Sequence, residues 1–160
     1  MTIRTATLDD YDAIWDILKA VIKTGDTYPF SPNTAKTSLT KLWFADYMNS
    51  YVIEQQGKII GSYIIKPNQV DLGSHVANCS YIVHPDARGK GAGKMLCEHS
   101  IQEGKKLGYK ALQFNLVVST NHAAVHLWQK CGLKIIGTIP EAFNHQTLGY
   151  VDAYVMYKKL

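Results

Sequence analysis

Cysteine is scarce in this 160-residue chain, and long apolar runs are missing. The three cysteines, Cys79, Cys97 and Cys131, are odd in number and widely spaced, and no two form a Cys-x-x-Cys pair. That excludes a disulfide framework and predicts reduced thiols. The 6 histidines offer no convincing metal-ligand set, so no metal is expected. No apolar run reaches the ~20 residues needed to cross a bilayer, so no membrane partner is expected. The opening Met-Thr-Ile-Arg-Thr-Ala-Thr carries no apolar signal core. These absences together predict a cytoplasmic protein. Neither sign of charge dominates: 17 Lys and Arg face 13 Asp and Glu, for a net +4. A nucleic-acid surface would want a longer basic stripe or an interleaved aromatic platform, and the chain has neither.

What the chain does have is an ordinary globular balance, 46% hydrophobic and 19% charged. Its length suits one domain over residues 1–160 with a sizeable core. Residues 2–7 read as a strand. Tyr11, Ile14, Trp15, Leu18, Val21 and Ile22 fall on one helical face, and Gly25 ends that helix. Pro29 and Pro32 mark a loop, and a second helix is expected over 34–47. Residues 51–54 and 59–65 form a hairpin through Gln56-Gly57. Strands follow at 76–83 and 111–118, on either side of a helix over 91–107 closed by Gly108. A short helix over 121–131 and strands at 133–138 and 150–158 complete the order β-α-α-β-β-β-α-β-α-β-β. One strand–helix–strand crossover sits in an otherwise antiparallel meander. The fold class is therefore α+β (mixed α/β), with a central, mostly antiparallel sheet flanked by helices.

The densest chemistry lies in Val83-His84-Pro85-Asp86-Ala87-Arg88-Gly89-Lys90-Gly91-Ala92-Gly93-Lys94. A strand stops at proline, a glycine-rich loop follows, and a helix begins. Glycine admits positive φ and leaves no Cβ in the way, so backbone N–H groups can converge on an anion. The helix N-terminus and the side chains of Arg88, Lys90 and Lys94 add positive charge. A P-loop would need glycine where Arg88 stands and Ser or Thr where Met95 stands. A dinucleotide fingerprint would need glycine where Lys94 or Leu96 stands. The pattern that remains is Arg-x-x-Gly-x-Gly, met by Arg88, Gly91 and Gly93.

That loop, with Val-x-Pro just before it, resembles the acetyl-CoA loop of the GNAT superfamily of N-acetyltransferases. Asn121-x-x-Ala124-x-x-x-Trp128-x-x-x-Gly132-Leu133 is similar to a second motif of that family, and the element order agrees over nearly the whole chain. The resemblance implies acetyl-CoA as cofactor, its pyrophosphate on the amides of Arg88, Gly89, Lys90, Gly91, Ala92, Gly93 and Lys94. It places the pantetheine arm beside Ile82 and Val83 like an added strand, with Asn121 contacting the coenzyme. A bulge in the 76–83 strand would open the slot, and the Val83 N–H would then serve as oxyanion donor. Asparagine is also a good helix N-cap, and Asn121 can hold both roles.

Two departures bear on the chemistry. Trp128 stands where the family usually has tyrosine, and indole offers a hydrogen-bond donor but no acidic proton; core packing is its first reading and a wall of the cofactor slot its second. The 76–83 strand carries no carboxylate to act as base and has Asn78 instead, while the next strand carries Asn115. Apolar-flanked asparagines in central strands need hydrogen-bond partners, from backbone or from substrate. With Thr27-Tyr28-Pro29 and Gly149-Tyr150-Val151-Asp152, they resemble the yeast-type azetidine-2-carboxylate (proline-analogue) acetyltransferases. By that resemblance Asn78 and Asn115 bind a small amino-acid-like amine, and Tyr28 and Phe30 line its pocket. Without a strong base, an α-amine of pKa ~7.7–8.0 is a better acceptor than a lysine side chain at ~10.4. The expected activity is acetyl transfer to a small amine by direct attack on the thioester. Peptide or ribosomal-protein N-terminal acetylation and a non-catalytic CoA sensor are the alternatives. Homodimers occur among proteins of this resemblance, and no contact for one is legible in the sequence.

Overall fold

The computed structural model describes Met1–Leu160, in the order β1 (Thr2–Thr5), α1 (Tyr11–Ile22), α2 (Leu39–Trp43), β2 (Asn49–Gln55), β3 (Lys58–Pro67), β4 (Val76–Val83), α3 (Ala92–Lys106), β5 (Ala111–Val118), α4 (His122–Lys130), β6 (Lys134–His145) and β7 (Gly149–Lys159), with short 3-10 turns between some of them. One seven-stranded sheet runs β1-β2-β3-β4-β5-β7-β6. Only β4 and β5 pair in parallel, across the α3 crossover. The expected element order and mixed, mostly antiparallel sheet are what the chain adopts.

Each face of the sheet is covered. On one, α1 and α2 bury Ile14, Leu18, Ile22, Leu39 and Trp43 against Val52, Ile64 and Ile82. On the other, Leu96, Cys97 and Ile101 of α3 meet Ile53, Tyr63, Ile65 and Leu112. The alternation along β4 decides which side chain faces which layer, since successive residues point to opposite faces. Ile82 belongs to the α1 layer, and Cys79 and Ala77 to the α3 layer. The Gln56-Gly57 turn has positive φ at both residues (52° and 74°), the geometry that matches strand twist in a two-residue hairpin.

Three expectations about elements need correction. The second helix, expected over 34–47, is confined to Leu39–Trp43, and Tyr47 is exposed. Leu107, expected inside the third helix, follows α3 and is exposed, and α4 contributes no fully buried side chain. Strand β6 extends to His145 across Pro140 and a register shift between Ile139 and Phe143, where Glu141 takes φ 51°. Most of β6 is exposed, so the apolar alternation that marks a strand is absent from it.

Candidate functional site

The parting of β4 and β5 makes the site. Their pairing is limited to Val76↔Ala111 and Ala77↔Leu112. Beyond Ala77 the strands diverge and a slot opens between them. The expected bulge in β4 is not there: β4 keeps an unshifted register with β3 from Ala77↔Pro67 to Val83↔Gly61. The shift lies in β5, between Phe114 and Val117 in its pairing with β7. An extra residue bends the strand that carries it, so β5 moves away while β4 stays straight.

Main-chain direction along β4 follows from two hydrogen bonds. The His84 N–H donates to Ile60 O (2.9 Å) and the Asn68 N–H to Val76 O (2.8 Å). In an antiparallel ladder such paired residues alternate with unpaired ones. Residues 76, 78, 80, 82 and 84 therefore turn their N–H and C=O to β3, and 77, 79, 81 and 83 turn theirs to the slot. This corrects one expectation: the Ile82 main chain is spent on β3 and is not free for an arm lying in the slot. Val83 has the expected direction. Tyr81, which sequence reasoning overlooked, shares it, and the parity of the strand was the signal that could have found it.

At the upper end of β4, Gly89 and Gly91 take φ 74° and 88°. One expectation about the loop is corrected: the Arg88 N–H is bonded to Pro85 O and is not free for a pyrophosphate, while Met95 N–H is bonded to Gly91 O at the start of α3. The amides from Gly89 to Lys94 between them have no acceptor in the protein. Gly91 caps α3, so these donors converge at a helix N-terminus. The Arg88 side chain is exposed and enters no ion pair. Lys90 Nζ donates to Asp86 O (2.8 Å), which sets it beside the loop, and Lys94 lies 3.6 Å from Glu98. A Cβ on Gly93 would stand 3.0 Å from Leu127 Cδ2, so the third glycine serves the close approach of α3 and α4.

In the slot itself is a cavity of about 210 Å³, lined by Tyr28 and Phe30 from the first loop, Asn78 to Tyr81 from β4, Phe114 to Val118 from β5, and Asn121, Ala124 and Trp128 from α4, together with Thr27 and Pro29. Tyr28, Phe30, Asn78, Asn115 and Asn121 are thus brought to one place from four parts of the chain. None of the lining residues is Asp, Glu, Lys, Arg or His.

The asparagines are placed differently from one another. Asn78 Nδ2 donates to Gln113 O (2.9 Å), spanning the gap where main-chain pairing has ended. Its Oδ1 has no partner in the protein and is a free acceptor at the cavity wall. Asn115 lies exposed at the β5 shift, donating to Asn68 Oδ1 (2.7 Å) and accepting from Gln113 Nε2 (3.0 Å). Asn121 Oδ1 accepts from Ala124 N–H (3.1 Å) as the N-cap of α4, and its Nδ2 points to Thr27 Oγ1 (3.5 Å). Trp128 is half-buried, 4.7 Å from the Tyr81 ring and edge-on to Phe114 at 5.2 Å, so one indole both packs and walls the cavity.

The first loop is tied down by polar contacts. Thr24 and Thr27 hydroxyls donate to the Asp26 carboxylate. Burial opposes ionisation of Asp26, but these two bonds and the charge of Arg88 hold its carboxyl below the usual range. Tyr28 stacks on Phe30 (5.5 Å) and its hydroxyl donates to Tyr81 O at 2.8 Å, on the slot side of β4. Burial pushes the Cys79 thiol up to about 12, which leaves it without thiolate character. His84 and His75 are engaged locally, with Asp86 N–H and Leu72 O, and neither lines the cavity. No cluster of three His, Cys, Asp or Glu side chains is assembled, and no helix is long and apolar enough to cross a membrane.

Comparison with known proteins places this arrangement. The model of the acetyltransferase (GNAT) family matches residues 12–133. The N-acetyltransferase aca1 of Schizosaccharomyces pombe is 34% identical over 106 residues, which is 64% of this chain and 50% of that protein. The chain thus spans about half the length of that curated relative. A GCN5-related N-acetyltransferase from Kribbella flavida superposes with a TM-score of 0.93 at 37% identity, covering 99% of this chain and 97% of that one. The ribosomal-protein-alanine N-acetyltransferase of Brucella melitensis shares the fold, with a TM-score of 0.87 at 23% identity and full coverage of both chains.

Proposed function

Because the chain belongs to the GNAT family of acetyltransferases, we propose that it transfers acetyl from acetyl-CoA to the amine of a small, amino-acid-like molecule by direct attack on the thioester. The whole chain, residues 1–160, serves as a single acetyltransferase domain in this reading, and its setting is the cytoplasm. The observation that carries it is the continuity between the unpartnered amides of Gly89–Lys94, the slot-facing main chain of Tyr81 and Val83, and the cavity beyond them. A diphosphate fits the first, an extended amide-bearing arm the second, and a small acceptor the third.

In this assignment the amides of Gly89, Lys90, Gly91, Ala92, Gly93 and Lys94 hold the pyrophosphate, with Arg88, Lys90 and Lys94 supplying charge. Asn121 borders the coenzyme while capping α4. The slot-facing N–H groups of Val83 and Tyr81 are the donors available to a tetrahedral oxyanion. Asn78 Oδ1 and the amide of Asn115 orient the acceptor, with Tyr28 and Phe30 closing over it.

No carboxylate or imidazole lines the cavity, so the amine must lose its proton by another route. An uncharged, partly dry pocket disfavours an ammonium ion, and so releases the neutral amine that attack requires. A small α-amino or imino acid with its lower pKa suits that device better than a lysine side chain. The 210 Å³ volume likewise favours a small molecule over a peptide. The proline-analogue acetyltransferases remain the substrate model, and the E. coli relative named L-amino acid N-acyltransferase, 34% identical over 67 residues, points to the same acceptor class. Calorimetry with acetyl-CoA, followed by thiol release with a panel of amino and imino acids, tests the reading. Peptide-only turnover would replace the substrate class, and coenzyme binding without turnover would make the chain a sensor.

A further inference from the structure

Breaking a thioester leaves a thiolate, and the cavity holds no cation to meet it. A hydrogen-bond donor must come from the few polar groups present. The Thr27 hydroxyl donates to the charged Asp26 carboxylate (2.7 Å), a charge-assisted bond that holds its proton more tightly than a neutral acceptor does. The Tyr81 hydroxyl lies on the far face of the sheet against Ser100 (2.7 Å). Trp128 can donate through its indole N–H but cannot relay a proton. Ser80 is an aliphatic alcohol, a far weaker acid than a phenol. Tyr28 is different. It reaches from the first loop across the cavity, and its hydroxyl donates to the neutral, slot-facing carbonyl of Tyr81 (2.8 Å), a bond it can exchange for one to sulfur.

We infer that the Tyr28 hydroxyl is the donor to the departing coenzyme sulfur, a catalytic role carried by the first loop instead of by α4. This rests on the acetyl-transfer reading above. The acceptor nitrogen forms its bond to the thioester carbonyl carbon. The carbon–sulfur bond then breaks and its electron pair goes to sulfur. Tyr28 passes its proton to sulfur as it takes one from the nitrogen, so the amide and the free thiol form and the phenol is unchanged. Burial pushes the Tyr28 phenol well above its ordinary value, which keeps it protonated as a donor needs.

The test compares CoA with desulfo-CoA, by calorimetry at pH 7 and pH 10, on the wild-type protein and Tyr28→Phe. That variant loses one oxygen and keeps the ring that stacks on Phe30. As the coenzyme thiol gains thiolate character between pH 7 and pH 10, the wild type should prefer CoA over desulfo-CoA several-fold more strongly. Tyr28→Phe should show no such rise. Its kcat should fall about 100-fold, the lower end of what a positioned acid or base supplies, with acceptor KM unchanged. A hydroxyl that only steadies the loop would alter both coenzymes alike at both pH values. An unaltered pH trend in the variant, or an unaltered kcat, overturns the inference. Equal desulfo-CoA affinity of both proteins shows that the variant is folded and that the coenzyme reading stands. Failure of the wild type to bind either coenzyme removes that reading itself.

Discussion

Asn78 on β4 donates its side-chain amide to the main-chain carbonyl of Gln113 on β5 (2.9 Å), just past the last residues that pair the two strands. The bond replaces a ladder bond where the slot begins, so it limits how far the strands part. Asn78→Ala should therefore cost stability, about 1 kcal/mol for the lost hydrogen bond, and should raise acceptor KM. Urea unfolding beside steady-state kinetics checks both. Asn115→Ala should differ: its side chain is exposed, so stability should hold within about 0.5 kcal/mol while acceptor KM rises and coenzyme affinity does not move. A large loss of stability in Asn115→Ala would make that residue structural.

Gly91 combines φ 88° with open space where a Cβ would stand. Substitution there meets no clash; its cost is the left-handed backbone, roughly 1–2 kcal/mol for an ordinary residue. Gly91→Val should move the loop to relieve that strain and scatter the amides from Gly89 to Lys94. Coenzyme affinity should fall at least about tenfold, a loss of about 1.4 kcal/mol, with the fold retained by circular dichroism. Unchanged affinity would show that the amides do not hold the phosphates.

Much of this was legible in the chain itself, for identifiable reasons. Strand β5 falls at its expected residues because Gly108 and the Ser119-Thr120-Asn121 cap bracket a β-prone run. The loop before α3 is legible because proline, glycine and cation each have one conformational meaning there. The bulge was placed on the wrong strand because a bulge leaves no composition mark: Asn115-Leu116 on β5 looks like regular strand. The Ile82 error has a related cause. Side-chain alternation is visible in sequence, whereas the direction of each main-chain N–H depends on which neighbour the strand pairs with. Tyr28 was expected to line the pocket, but the target of its hydroxyl depends on a contact 53 residues away.

The cavity's lack of carboxylate, imidazole and amine side chains sets a pH profile. With no enzyme base in reach, kcat/KM should climb about tenfold per pH unit below the acceptor's own pKa and level off there. Two acceptors, one with an α-amine near ~7.8 and one with a primary amine near ~10, should plateau at different pH values. A plateau at one shared pH would reveal an enzymic base.

Stability at low pH should centre on Asp10. The Arg4 guanidinium donates two hydrogen bonds to it (2.7 and 2.8 Å), and Thr7 N–H adds a third. The bonds from Arg4, ahead of the others, hold the Asp10 carboxyl below its ordinary value. Its stabilisation is therefore complete above the unfolded pKa of ~3.9 and is lost as pH falls through the lower folded value. Asp10→Asn should lower stability by about 1–3 kcal/mol at pH 7, with the gap to the wild type narrowing as pH falls below the unfolded pKa of ~3.9. Urea titrations at pH 7 and pH 3 measure the difference; an equal gap at both would assign it to packing.

The account depends most on whether acetyl leaves the coenzyme for a small amine in this cavity. Thiol release from acetyl-CoA, followed with amino and imino acids as acceptors and paired with mass detection of the N-acetylated product, measures that directly. The prediction is release matched one to one by acetylated acceptor for at least one small α-amino or imino acid. Coenzyme bound, with release no faster than spontaneous hydrolysis for every such acceptor, would contradict it.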